Sequence, residues 1–454
     1  MIRRLQPIAT ALGTATPGEP GPAAQEASRA GRWPRIAGQA ALGGLVACLL
    51  LLGANAASGR SSYVPSGRHG LPGWLAGPLA PLGFTTAHAV LEGLVLAACG
   101  CYAVVLACER ELPDRAVALA VAAGTLAALL SPPLLSTDVL GYIGFARLGV
   151  LHGLDPYSFA ANAAPHDAIY PYLGWHTVTT PYGPLFTLLS YAIEPLGIAA
   201  GLWAFKLIAA AASLATVRLL WLTAAQLGRS PRRAIAIYGL NPLVLVFAVA
   251  GAHNDTLLGL LVAAAALALV TRHERAGAAA TSLAIAVKLT AGLIAPFAWI
   301  GARRRGAFAQ ELAITLIVLA AVALAVFGTH IDGIWSALRA EQHQVARHGV
   351  PAEISGLLGA GRPDAQGVRL AAGIRAAFIV AFALALGYAL WRAWRGAFWL
   401  DCYGWATLAL LAASAWLLPW YGTWALLPAA VSRSRALVGT TLAASAYLVA
   451  IKIL

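Results

Sequence analysis

Apolar residues run through this chain in long unbroken stretches separated by short polar joints. Candidate spans lie near 36–54, 89–108, 116–135, 181–195, 198–227, 234–251, 256–271, 277–300, 307–328, 369–391, 399–418, 420–432 and 437–454. Most approach the roughly 20 residues that a helix needs to cross a bilayer. Membrane barrel strands alternate and are only about ten residues long, so the pattern predicts helices. The expected fold is an all-α, polytopic transmembrane helical bundle of about eleven to thirteen membrane segments. Segments 181–195 and 420–432 are short for full crossings. Segment 277–300 carries Lys288 and Pro296 inside it, which predicts two half-helices, a break tolerated where protein or a wet cavity surrounds it.

Composition agrees. Hydrophobic residues make up 60% of the chain and charged residues 11%, against about 25% charged in a soluble domain. Mean hydropathy is +0.74. The net charge is +13, but the Arg residues sit in short loop clusters, a pattern for an anionic cytoplasmic leaflet and not for nucleic acid. The five cysteines lie in or beside apolar spans without metal-ligand spacing and read as core residues. No cleavable signal peptide is evident, and residues 1–34 read as a disordered cytoplasmic tail.

The basic clusters set an expected orientation. With Arg29/Arg32/Arg35, Arg110/Arg115, Arg272/Arg275, Arg303–Arg305, Arg392/Arg395 and Arg433/Arg435 inside, loops 55–88, 136–180, 252–255 and 329–368 fall outside. Arg229, Arg232 and Arg233 conflict with this unless 181–207 forms a re-entrant pair.

The acidic residues are few enough to weigh singly. Asp138 follows directly on span 116–135, and in a helix it shares a face with Tyr142. It could act as a general base or merely belong to a helix N-cap with Ser136 and Thr137. His253, Asn254 and Asp255 sit together at a span junction. They could be a cap, a polar site, or part of a metal set, though nothing at proper spacing completes one. Lys288 could snorkel to an interface or meet an anionic headgroup. Leu418-Pro419-Trp420-Tyr421 could be an aromatic belt or a substrate platform.

The pieces TDVLGYIGFARLGVLHGLDPY, TPYGPLF, NPLVLVFAVAGAHND, AVKLTAGLIAPF and LPWY, in this order, resemble the GT-C superfamily of lipid-linked glycosyltransferases. The closest resemblance is to the polyprenol-phosphomannose-dependent α-1,6-mannosyltransferases of the MptB type, over roughly residues 116–430. The resemblance implies a GT-C core at 116–454, preceded by accessory helices at 35–115. It implies a multi-pass plasma-membrane enzyme with its active site at the outer surface and a polyprenyl-phosphate sugar donor. The acceptor would be a lipid-linked mannan or other glycan and the transfer inverting. No cofactor or metal is expected, since a polyprenyl monophosphate donor does not need a metal and no ligand set appears, and the Arg pattern argues against a nucleic-acid partner. The family's general base, an Asp in the first long loop of the core, matches Asp138. Tyr142, Arg147, Tyr182, His253, Asn254, Asp255, Lys288, Trp420 and Tyr421 become candidate substrate contacts, with Lys288 and Arg147 toward the leaving phosphate. Two alternatives stay open: a GT-C transferase of another polyprenyl-linked sugar, and a lipid or solute transporter or flippase.

Overall fold

The computed structural model describes residues 22–64, 72–343, 349–359 and 365–453; side chains at 22–32, 340–343 and 365 are not described. The described chain is helical, with no strand among the described residues. The helices are α1 (Pro22–Ala57), α2 (Gly73–Ala76), α3 (His88–Ala107), α4 (Asp114–Leu130), α5 (Asp138–Val150) and α6 (Pro184–Ile193). Next come α7 (Gly197–Gln226), α8 (Pro231–Gly239), α9 (Asp255–Val270), α10 (Glu274–Val287), α11 (Ile294–Gly301) and α12 (Arg305–Phe327). The last six are α13 (Gly333–His343), α14 (Val350–Leu357), α15 (Ala365–Trp394), α16 (Trp399–Ala413), α17 (Thr423–Ala430) and α18 (Arg435–Ile453).

Six helical stretches are long and apolar enough to cross a membrane, or seven if the bent pair 231–239 and 243–249 counts as one. The protein is thus an all-α polytopic membrane protein. Shorter apolar helices, 255–270 and 289–301, account for two of the further segments expected from the sequence. α1 begins at Pro22, so the expected tail is helical from there; residues 1–21 lie outside the described residues. So do 344–348 and 360–364 of the loop expected at 329–368, including His348 and Asp364.

The core centres on a π-helical turn, Leu243–Val249, in which every side chain is buried. Its cause is local. Pro242 has no N–H to give, and the bend between α8 and this turn is 50°. The Asn241 side chain takes over, accepting from Leu243 N and Ser445 Oγ and donating to Tyr102 Oη. The fully buried Lys206 of α7 donates to Ala128 O at the end of α4 and to Ala250 O just past the π turn, at 3.0 and 2.8 Å. Buried polar groups need such partners. At the periphery, Ile317 on α12 and Leu384 on α15 are 67% and 71% exposed, as residues facing lipid tails would be.

The bundle has two distinct ends. At one, Arg232 donates to Leu112 O, Arg110 O and Asp114, and Arg433 to the carbonyls of Leu227 and Gly228. The basic clusters near 110, 230 and 433 therefore share a face. Helix α6 starts beside Val287, where Gly183 N donates to Val287 O, and ends at Glu194 beside Arg147 of α5. Segment 277–300 divides at Lys288, whose backbone is extended (φ −154°, ψ 121°) between α10 and a 3-10 turn leading to α11.

Candidate active site

Asp138 opens α5. Its backbone N–H donates to Ser136 Oγ, and the capping position, Thr137, makes no side-chain cap bond. The Asp138 carboxylate is therefore free of capping duty. It lies 3.3 Å from His253 Nδ1, and its side chain is 16% exposed to a cavity of about 1030 Å³. Burial alone would raise the Asp138 pKa. The neighbouring His253 ring and the Lys288 charge outweigh it and hold the carboxyl below its ordinary value.

The path to His253 explains its placement. After the π turn, Ala252 adopts φ +56°, unusual for a residue with a side chain. His253 N then donates to Ala248 O. The ring stacks on Trp420 at 3.7 Å between centroids, and neither ring nitrogen has a hydrogen-bond partner among the described residues. Strained backbone and unsatisfied buried polar atoms concentrate at functional sites.

Two residues on, Asp255 turns to different neighbours. Its Oδ1 accepts from Lys288 Nζ at 3.0 Å and from Trp424 Nε1 at 2.7 Å. Lys288 Nζ also lies over the rings of Tyr421 and Trp424, at 4.5 and 5.2 Å. The snorkelling reading of Lys288 fails on this geometry, because the ammonium is enclosed by a carboxylate and two rings. In sequence, His253 and Asp255 could belong to one metal set. The fold separates their roles instead, one to Asp138 and one to Lys288, so they do not converge on a single ion.

The candidates thus sort into three layers. Asp138, Tyr182, Lys288, Trp420 and Tyr421 line the cavity. His253, Asn254 and Asp255, expected as substrate contacts, lie buried behind that wall. The correction has a simple cause: the stretch follows a fully buried π turn and has no path to the surface. Tyr142 is likewise behind the wall, edge-on to Tyr182 and Phe186, its hydroxyl accepting from Asn254 N. Arg147, expected near the leaving phosphate, is not at the cavity. It is bound to Asp167 at 2.8 Å and to Glu194 at 3.2 Å, which consume its charge. Trp424 was absent from the expected set; its signal was the spacing of four residues from Trp420, one helical turn.

The arrangement offers a carboxylate and an ammonium on one cavity, each backed by a buried partner. A hydroxyl could lose its proton to the first while an anion rests near the second. Comparison with known proteins bears on which molecules those are. Residues 40–303 match the family described as alpha-(1->6)-mannopyranosyltransferase, N-terminal domain. The chain is 36% identical over 215 residues to alpha-(1->6)-mannopyranosyltransferase A of Mycobacterium tuberculosis, covering 43% of this chain and 40% of that protein. It is 28% identical over 178 residues to the protein of the same name from Corynebacterium glutamicum, covering 38% and 36%. The chain thus spans about two fifths of the length of the curated relatives it matches. The family match takes in Asp138, His253, Asp255 and Lys288 and extends over more than half of the sequence; the chain belongs to the alpha-(1->6)-mannopyranosyltransferase family.

Proposed function

We propose that this protein is an inverting mannosyltransferase that moves mannose from a polyprenyl-phosphate donor to a glycan or glycolipid acceptor at the outer face of the plasma membrane. The observation that carries the reading is the pairing of Asp138 and Lys288 on one cavity wall. The family supplies the sugar; the cavity supplies a base and a phosphate contact.

The chemistry balances with these groups alone. The acceptor oxygen forms a bond to the anomeric carbon as the bond from that carbon to the phosphate oxygen breaks. The bonding pair leaves on the polyprenyl phosphate, and the acceptor proton passes to Asp138. Attack opposite the leaving group turns a β-linked donor into an α-mannoside. With its pKa held low, Asp138 is ionised at neutral pH and ready to accept the proton. Lys288 carries three N–H donors; one serves Asp255, and the rest are available to a phosphate oxygen. The rings of Tyr421 and Trp424 confine the ammonium so that little freedom is lost when the anion arrives.

The direct test is an assay of membranes carrying the protein with labelled polyprenyl-phosphate mannose and a short mannoside acceptor, followed by linkage analysis. An α-1,6-linked product is expected. No transfer, or transfer only from a different polyprenyl-linked sugar, would overturn the assignment. The sidedness is tested by single cysteines at Ser158 and Ala352 in a chain cleared of its native cysteines. An impermeant reagent is expected to label both in intact cells; protection of both until lysis would reverse the orientation.

A further inference from the structure

The cavity is larger than one sugar-phosphate requires. At about 1030 Å³ it matches the top of the range for sites that enclose whole drug-sized ligands. Its wall beyond Asp138 and Lys288 contains two further tryptophans, Trp175 from the segment between α5 and α6 and Trp416 from the segment after α16. Their rings meet edge-to-face, 5.6 Å between centroids at 74°. Trp175 is 42% exposed, and Trp416 is partly exposed as well.

This corner is built, not incidental. A Cβ on Gly174 would collide with Thr137 Oγ1, so the backbone next to Trp175 rests directly on the residue that precedes Asp138. On the other side, His176 Nε2 is 3.0 Å from Tyr170 O, the two rings lie 4.4 Å apart, and Asn162 N donates to His176 O. Leu173, one residue further back, packs on the glycine face of α5 at Gly144. Trp175 is therefore held at a fixed offset from Asp138 by contacts on both sides of it. Trp416 lies four residues before Trp420, which carries the stack on His253.

We propose that Trp175 and Trp416 form a glycan subsite, holding an acceptor saccharide at a residue set back from its reacting hydroxyl. The inference rests on the assignment of Asp138 as base, since that fixes where the acceptor's reacting end lies. Aromatic faces suit the C–H faces of pyranose rings, and a rigid ring contributes contact area at low entropic cost. The donor carries one sugar, whose place is at Asp138 and Lys288. A second aromatic corner at a fixed offset serves a chain longer than one sugar. Tryptophans of an interfacial belt would instead be turned toward headgroups, whereas both of these line the cavity.

Kinetics on the purified full-length protein separate the two roles, with methyl α-mannoside and an α-1,6-linked mannotetraoside as acceptors. Trp175→Ala is expected to raise KM for the tetraoside about tenfold, the loss of one good contact. KM for methyl α-mannoside and for the donor is expected to stay near wild type, and Trp175→Phe to recover part of the loss. Equal effects on both acceptors, or none on either, would overturn the subsite. A second arm needs no turnover: saturation-transfer NMR with the tetraoside alone is expected to give a signal with wild type that weakens in Trp175→Ala and Trp416→Ala. No signal with wild type, or one unchanged in both variants, would also overturn it. If no mannose is transferred at all but the NMR difference persists, the saccharide subsite stands and the mannosyltransferase reading falls.

Discussion

Two charged clusters stand at the two ends of helix α5 and have opposite characters. In the first, Arg147 binds Asp167 and Glu194, and His152 Nε2 lies 2.7 Å from the second oxygen of Asp167. Each charge there meets an opposite one, and the group ties the loop after α5 to the elbow between α6 and α7. In the second, Asp138 sits beside Ser136, the His253 ring and the Lys288 charge without a full ion pair, and neither the His253 ring nitrogens nor one oxygen of Asp255 has a hydrogen-bond partner among the described residues. The first cluster is closed on itself. The second faces the cavity through Asp138 and Lys288, with His253 and Asp255 buried behind them. Buried polar atoms left unsatisfied cost about 1–3 kcal/mol each, and their concentration behind the cavity wall sets the second cluster apart from the first.

The largest effect that would break this comparison is at Asp138. Asp138→Asn keeps the shape and should fold, insert and bind donor, while turnover falls on the order of a hundredfold to ten-thousandfold. Near-normal single-turnover rates in this variant would reopen the choice of base. Next is Lys288. Lys288→Ala is expected to weaken donor binding by tenfold or more, roughly one lost charged contact, and Lys288→Arg to retain part of it because the charge remains. Donor titrations in which both variants match wild type would remove Lys288 from the site.

His253→Gln is expected to act more gently and through Asp138. The His253 ring helps hold the Asp138 carboxyl below its ordinary value, so its loss raises that pKa. A base works only above its pKa, so the acid limb of the kcat/KM profile moves to higher pH. A lower kcat with the acid limb unmoved would make the ring a packing element only. The smallest effect on catalysis is expected at the closed cluster. Arg147→Gln strips Asp167 and Glu194 of their partner and should lower the melting temperature, because breaking a largely buried pair strands its carboxylates. Burial raises the Asp167 pKa, and the Arg147 and His152 contacts reverse this to leave it below normal. Stability from that carboxylate is therefore present at neutral pH and is lost as pH falls through its depressed pKa. A collapse of kcat in Arg147→Gln with unchanged melting would erase the distinction between the clusters.

Much of the fold could be read in the chain because apolar run length is a direct physical requirement of the bilayer. The break at Lys288 was visible in the same way, since a cation and Pro296 both disfavour an uninterrupted helix. What stayed hidden was the direction in which polar side chains turn. Asp138 and His253 are 115 residues apart, and nothing local says that they meet; the π turn and the positive φ at Ala252 decide it. Arg147 misled for the same reason. Its partners Asp167 and Glu194 are 20 and 47 residues away, and a lone Arg after a carboxylate reads equally well as a phosphate contact. Trp175 and Trp416 carry no signal in the sequence, because single tryptophans at a membrane surface are commonplace until a shared cavity joins them.

Lys206 also has a bearing on how the chain is made. Its ammonium is held in the finished bundle by two carbonyls, one on α4 and one beyond the π turn. During synthesis the Ala128 carbonyl emerges before α7, but that of Ala250 emerges after it. A lysine well inside a spanning helix costs about 2.5–3.5 kcal/mol on insertion scales. Helix α7 therefore enters the bilayer with only half of its lysine's final support. The chain that follows must supply the other half, so the lysine's full support exists only once the segment leading to His253 is in place.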